Sequence, residues 1–480
     1  MSAVLLTSKY ISLCRKPPCV QRKYSPSLLI LWNHISCQVN SKYELNRKLI
    51  DHIRPGGAAD AADPLINIPA LTRDVANFKK LGINTIRVYT VDNSASHEEG
   101  MKLLADAGIY LALDANTPQF SLNRQNNASL FQSYNENYLQ SIFATIDTFA
   151  NYSNLLLMIN GNEVINERNN TIAAPYVKAL NRDMKQYIKA RGYRSIPIGY
   201  AAADVAENVD QQLAYFDCGP DEVRGDFFAL NDYSWCDPSS FTIAGWDKKV
   251  ERYSGYGAPI LYVSSLPHMA FTDSKPSMAE FGCNTNTREW GEIAALYSSN
   301  MTSVYSGGLA YEYTAEANGY GLVSNTNGQV TPNADFDRLL KAYKATLNPS
   351  GDGGYTQNTT PSECPAQSDD WAVANSLLPA MPALAQRYME DGAGKGPGLG
   401  DDVTPSQYGG ESYSAGLVEM NGSAASGTNA GTASGSSSSS SSTASRNAGA
   451  VVVAPAVGVV FGLPVVVSLA GVFVGMGMMF

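Results

Sequence analysis

Residues Leu155–Val164 read LLLMINGNEV. An apolar run that meets a glycine and then turns polar has the pattern of a buried strand in a parallel sheet, where both faces are covered. The polar residues at its carboxyl end, Asn162 and Glu163, fall where α/β barrels place their chemistry. One carboxyl group is half of a glycoside-cleaving mechanism. The other half is assigned to Glu280, in Pro276–Cys283 (PSMAEFGC), at the end of a second short apolar run. Two carboxyl groups on two strand ends are what glycoside hydrolysis requires.

Outward from this strand the chain alternates between helical and extended patterns. Before it come a helix over Leu71–Leu81 stopped by Gly82, a strand at Thr85–Tyr89, a helix over His97–Ala107, a strand at Tyr110–Asp114 and one long helix over Gln132–Ala150. After it come a helix over Ala173–Arg191, strands at Pro197–Ala201, Phe227–Asn231 and Ser277–Glu280, a helix over Trp290–Ser298, a strand at Gly308–Tyr313 and a helix over Phe336–Leu347. Strands and helices in alternation mean βα units on a parallel sheet. The expected fold is an α/β (β/α)8 TIM barrel. Seven of its strands follow Asp63. The first must precede it, where Tyr43–Ile53 reads as a poor strand.

Polar residues gather at the strand ends. Arg87 and Tyr89 belong to the second strand, Asp114 ends the third, and Asn231, Asp232 and Tyr233 follow the sixth; Tyr311 and Tyr313 lie on the eighth. Tyrosine is abundant, 27 residues against 5 Trp, and its flat, partly polar ring suits stacking on sugars or half-buried packing equally well. Asp114 reads as a sugar ligand or as a strand-end hydrogen-bond acceptor. Arg87 reads as a structural ion pair, or as the cation that sits beside Glu280 and keeps it ionised.

A formal net charge of -10 and the absence of a basic cluster argue against a nucleic-acid partner. A neutral ligand such as a glucan needs no charge steering, and no cofactor or metal is expected. The C-terminus has a separate composition. Residues Ser423–Ser445 are almost wholly Ser, Ala, Gly and Thr, too polar to bury a core. Val451–Phe480 is apolar and uncharged. Small residues, a polar spacer and a hydrophobic tail form the pattern of a GPI-attachment signal, with Asn447 as the attachment residue; the alternative is a tail-anchor helix. Six Asn-x-Ser/Thr sequons suit a secreted chain. Met1–Tyr43 lacks a clear signal peptide, so the opening segment is expected to come from a faulty start or splice. The expected divisions are an atypical N-terminus (1–54), the catalytic barrel (55–348), an extension packed on it (349–408), a Ser/Gly-rich linker (409–450) and the tail (451–480).

Five stretches, Lys79–Asp92 (KKLGINTIRVYTVD), Ile159–Val164, Asn231–Cys236 (NDYSWC), Ala279–Asn284 (AEFGCN) and Gly307–Val323, occur in an order that resembles the fungal β-1,3-glucanosyltransferases of glycoside hydrolase family 72. The resemblance runs from about Pro55 to Gly400. It implies GPI anchoring at the outer face of the plasma membrane and elongation of wall β-1,3-glucan by cutting and rejoining, with β-1,3-glucan as both donor and acceptor. It implies Glu163 as acid/base, Glu280 as nucleophile, and sugar contacts at Tyr89, Asp114, Asn162, Tyr233 and Tyr311. It also implies the disulfides Cys236–Cys283 and Cys218–Cys364. Two departures accompany it. Arg54 stands where the family's first strand ends in a Gln, and a disulfide between the first two helices is absent, with Ala70 or a neighbour and Gly100 in its places. No Cys-rich carbohydrate-binding module follows the barrel, which resembles the subgroup lacking it. The rival activities are a plain endo-β-1,3-glucanase on the same barrel and an inactive glucan-binding wall protein.

Overall fold

The computed structural model describes residues 47–50, 62–258, 260–262, 281–349, 354, 360–374, 376–400, 403–407 and 416–420. The Ser-rich segment, Asn447 and the apolar tail lie outside these residues. Among the described residues no helix is long and apolar enough to cross a membrane.

Eight parallel strands close into a barrel in sequence order: β1 (Arg47–Ile50), β2 (Thr85–Val88), β3 (Tyr110–Asp114), β4 (Leu155–Asn162), β5 (Ile198–Ala203), β6 (Phe227–Asn231), β7 (Ile260–Tyr262) and β8 (Tyr305–Ala310). The helices between them are α1 (Ile68–Leu81), α2 (Glu98–Asp106), α3 (Asn127–Ser133), α4 (Glu136–Phe149), α5 (Ala174–Ala190), α6 (Val209–Asp217), α7 (Trp246–Tyr253), α8 (Glu292–Leu296) and α9 (Ser299–Thr302). A hairpin of β9 (Val323–Thr326) and β10 (Gln329–Pro332) precedes α10 (Ala334–Ala345).

Three expectations are corrected. The first strand exists inside the stretch that reads as a poor one. Arg47–Ile50 pairs with β8 on one side and β2 on the other, so the barrel begins before residue 55. Two polar residues open this strand, and pairing on both edges overrides their weak local preference. The seventh strand is Ile260–Tyr262, an apolar run after Gly257 and Pro259; Ser277–Glu280 lies outside the described residues. Phe281 nevertheless bridges Ala310 on β8, while Tyr262 pairs with Gly308. The β8 partner thus advances two residues where the β7 side advances nineteen, from 262 to 281. The long helix over 132–150 is two helices. The Asn135 side chain accepts from the Tyr138 N–H and caps α4, which ends the preceding turn.

Side chains alternate across a strand, so residues two apart share a face. The barrel interior holds Ala112, Leu157, Ile159, Ala201, Phe227, Ala229 and Leu309, small residues facing large ones. The same inner faces continue to Asp114 after Ala112, Asn231 after Ala229 and Tyr311 after Leu309. The polar site is the open end of this apolar stack.

The extension packs along the outer helices. β11 (Leu377–Pro379) pairs with β12 (Leu417–Glu419), and Arg182 on α5 donates to the Pro379 carbonyl at 2.8 Å. The Ala393 N–H donates to Tyr187 Oη at 2.8 Å. Because β12 and buried Met420 belong to this layer, the linker begins after Met420, not at residue 409.

Gly100, where the expected inter-helix disulfide is absent, opens α2 against the backbone of Leu65. A Cβ there would stand 2.1 Å from the Leu65 carbonyl oxygen and 3.3 Å from Leu71 Cδ2. Helix propensity would favour Ala over Gly by up to about 1 kcal/mol, but a backbone clash of this depth forces the helix outward. Gly100→Ala is expected to destabilise the fold by about 1–3 kcal/mol, read as a lower denaturation midpoint. A midpoint equal to or above that of the parent would show that the helix has room.

Candidate active site

Glu163 follows the last residue of β4 with φ +46°, in the left-handed region that costs a non-glycine residue about 1–2 kcal/mol. Two bonds hold it there. Its N–H donates to the Ala201 carbonyl on β5 at 2.8 Å, and its carbonyl accepts from Arg124 Nη1 at 2.8 Å. The Tyr200 hydroxyl accepts from the Ile165 N–H at 2.8 Å and fixes the next turn. The strained backbone turns the carboxyl group across the barrel mouth, where Oε1 accepts from Asn231 Nδ2 at 2.6 Å. Glu163 is half-buried.

Beside it lies a buried charge network. Arg87 is wholly buried. It donates through Nε and Nη2 to the two carboxylate oxygens of Asp114, each at 2.8 Å, in the bidentate geometry that fits a guanidinium to a carboxylate. Nη2 also donates to Asn162 Oδ1 at 3.2 Å. Asn162 thereby has its amide orientation set, with its NH2 group as the donor it offers a ligand. The guanidinium lies 4.0 Å from the Tyr89 ring centroid. Arg87 thus forms the ion pair that the sequence offered as one reading, with Asp114 as its partner. Its expected neighbour Glu280 is outside the described residues, one position before Phe281.

A third group comes from the other side of the mouth. Tyr233, Tyr311, Tyr320 and Cys283 pack together, with ring centroids of Tyr320 5.5 Å from Tyr233 and 5.2 Å from Tyr311. Arg288 organises them from below, donating to the carbonyls of Tyr311 (2.8 Å) and Tyr320 (2.6 Å) and pairing with Asp335. Burial pushes the Arg288 guanidinium down to about 10, with Glu292 opposing. Cys236–Cys283 is bonded and ties the loop after β6 to the residues after β7. Cys218–Cys364 is also bonded and ties the end of α6 to the extension. Tyr313 instead faces the helices: its hydroxyl donates to Asp74 Oδ1 at 3.0 Å and accepts from Asn77.

Behind the loop after β6, Lys249 on α7 donates to Asp204 and Asp232, at 2.6 Å each, and so joins the ends of β5 and β6. Burial raises Asp204 to about 6, with Lys249 opposing and Asp232 reinforcing. Among the described residues no group of His, Cys, Asp and Glu side chains could hold a metal ion.

Residues 40–347 match the glycoside hydrolase family described as glucanosyltransferase. The chain belongs to that family. The match begins ahead of Pro55 and includes β1. The chain is similar to the 1,3-beta-glucanosyltransferase gel1 of Aspergillus fumigatus, 52% identical over 347 residues that cover 72% of this chain and 73% of the relative. It is 47% identical over 350 residues to the 1,3-beta-glucanosyltransferase GAS5 of Saccharomyces cerevisiae, covering 72% and 68%. Among solved structures, Saccharomyces cerevisiae Gas2p in complex with laminaritriose and laminaritetraose superposes with a TM-score of 0.61 at 33% identity, covering 71% of this chain and 73% of that one.

Sequence reading placed Arg87, Tyr89, Asp114, Asn162, Glu163, Tyr233 and Tyr311 at the strand ends, and the structure brings them to one mouth. It passed over Arg124, Tyr320 and Arg288. Tyr320 has a local signal, the Asn-Gly-Tyr-Gly turn; Arg124 and Arg288 come from loops whose partners are far away in sequence.

Glu292 supplies a test of the scaffold beneath this mouth. It is fully buried near Asp237 and Arg288, and one carboxyl oxygen, Oε2, has no hydrogen-bond partner. Burial, and then the charge of Asp237, raise it to about 8. An acid raised above its unfolded value near 4.3 favours the protonated fold, so its share of stability falls as pH rises from there to about 8. Glu292→Gln keeps the shape without the charge. Its thermal midpoint is expected to equal the parent's near pH 4 and to exceed it by several degrees at pH 8. A gap that does not widen with pH would remove this account.

Proposed function

We propose that the protein cleaves β-1,3-glucan internally and transfers the new reducing end to the non-reducing end of another chain, by a retaining double displacement. The observation that carries the reading is Glu163, strained into the barrel mouth and bonded to Asn231, beside an Arg87–Asp114–Asn162 network, in a chain of the glucanosyltransferase family. The named activities of its relatives support the same substrate.

Glu163 donates a proton to the departing glycosidic oxygen. Glu280 attacks the anomeric carbon and forms a glycosyl ester. Retention requires the two carboxyl groups to stand about 5 to 5.5 Å apart. The leaving chain departs, and Glu163, now a carboxylate, takes the proton of an incoming 3-hydroxyl. The acid of the first step is the base of the second, as microscopic reversibility demands. Asn162 offers its NH2 to the 2-hydroxyl of the donor sugar, a contact that strengthens as the ring approaches an oxocarbenium ion. Tyr233 and Tyr311, with Tyr320 between them, form an aromatic wall that favours a sugar acceptor over water. Asp114 and Arg87 fix Asn162 and, with Tyr89, line the donor side.

The Ser-rich tract, Asn447 and the apolar tail support GPI anchoring at the outer face of the plasma membrane, with carriage into the wall as a second destination. That placement brings the enzyme to its glucan.

Incubation with a reduced laminari-oligosaccharide tests the activity. Products longer than the substrate are expected at high acceptor concentration; exclusively shorter products would make the protein an endo-glucanase, and no turnover a binding protein. Glu163→Gln and Glu280→Gln are each expected to lower transfer by at least about 10³-fold, a loss typical of removing a group that acts in the transition state. Glucan binding should persist. Transfer close to the parent rate in either variant would strip that residue of its role.

A further inference from the structure

Lys178 lies near the start of α5 with its side chain wholly buried. Its amine donates to the carbonyls of Tyr215 and Cys218, the latter at 2.6 Å, and lies 3.4 Å from Cys218 Sγ. The ring of Tyr215 is 4.5 Å away. Cys218 is itself fully buried, but its disulfide partner Cys364 is exposed. The two sulfurs of this bond therefore differ in opposite senses: one is reachable, and the other has a cation beside it. In the other disulfide Cys283 is buried and Cys236 half-buried.

Thiol–disulfide exchange is fastest when the attacked sulfur is accessible and the departing thiolate is stabilised. We propose that Cys364 is a site of modification by low-molecular-weight thiols, with the Lys178 ammonium stabilising Cys218 as the leaving group. The thiolate of a small thiol such as glutathione bonds to Cys364 Sγ. The Cys218–Cys364 bond breaks, and its electron pair goes to Cys218 Sγ, where the ammonium of Lys178 donates a proton. The product is a mixed disulfide on Cys364 and a thiol on Cys218. A second thiolate that attacks the glutathione sulfur gives oxidised glutathione and frees Cys364.

The consequence is confined to the extension. Ser362 donates through N–H and Oγ to Asp217 Oδ2 at 2.9 and 2.7 Å, the Ala372 N–H donates to Thr171 Oγ1 at 2.9 Å, and Trp371 is buried against Tyr215. These contacts keep the segment near the barrel when the bond opens. Cys218 follows α6 in the helical layer outside the strands, and the contacts given above for its sulfur involve none of the mouth residues. Thiol attack is expected to leave transfer activity intact.

The charge on Lys178 carries a pH signature. Burial lowers it to about 7, with Asp217 opposing this and Arg224 adding to it. The ammonium is present below that value and lost above it. Attack by glutathione itself accelerates with pH at both disulfides, so the ratio of their rates isolates the lysine.

The full-length enzyme is treated with limiting reduced glutathione, quenched in acid and mapped by peptide mass spectrometry. The first adduct is expected on Cys364, with Cys218 as a free thiol and Cys236–Cys283 intact. The rate of opening relative to Cys236–Cys283 should fall as pH rises through about 7. Lys178→Met should slow adduct formation about tenfold, a loss comparable to one unit of leaving-group stabilisation, with laminari-oligosaccharide transfer retained as the check on folding. An adduct on Cys218, earlier opening of Cys236–Cys283, no adduct at all, or a pH-independent ratio overturns the proposal. These readouts use the unmutated enzyme and decide the matter even if Lys178→Met does not fold.

Discussion

A parallel sheet carries two unpaired edges unless it closes on itself, and everything at the mouth of this protein depends on that closure. The closing strand is made by four residues, Arg47–Ile50, which form one ladder with β2 and another with β8. Without it the inner faces of β2 and β8 would diverge, and Arg87 and Tyr311 with them. Closure brings residues from β2, β3, β4, β6 and β8 to one rim although more than 200 positions separate Arg87 from Tyr311 in the chain. The apolar interior below, from Ala112 to Leu309, excludes water from the base of that rim.

Excluding water makes charge expensive, and the structure answers with close pairing. Arg87 is matched by Asp114, Lys249 by Asp204 and Asp232, and Arg288 by Asp335. Removing one partner of such a pair commonly costs about 3–5 kcal/mol, because the other charge is left buried. The geometry that results is useful as well as stable. Arg87 orients Asn162, Lys249 pins Asp232 between Asn231 and Tyr233, and Arg288 holds the carbonyls of two tyrosines. Each of these cations thus fixes the position of a group at or beside the mouth, while Glu163 is left half-buried and aimed across it.

Close approach shapes the outer layer as well. Gly100 lets α2 approach the Leu65 backbone more closely than any side chain would permit. The two disulfides among the described residues have different settings: Cys236–Cys283 braces the aromatic wall, and Cys218–Cys364 fastens the extension to the end of α6.

The sequence by itself determined the α/β alternation, the barrel, and the strand-end identity of Arg87, Asp114, Asn162, Glu163 and Tyr233. Period-two and helical patterning are local properties, and a buried parallel strand announces itself as an apolar run. It also carried the family, through motifs kept in order. It did not determine β1, because Arg47 and Lys48 have little preference for a strand until two neighbours pair with them. Nor did it locate β7 at Ile260–Tyr262, since two apolar runs competed for one place and only the ladder with β8 distinguishes them. The break between α3 and α4 required the Asn135 cap. The partners of Arg87, the left-handed turn at Glu163 and the setting of Lys178 beside Cys218 were decided by tertiary structure alone. Each joins residues from different elements, and local patterning carries no record of which buried charge will meet which.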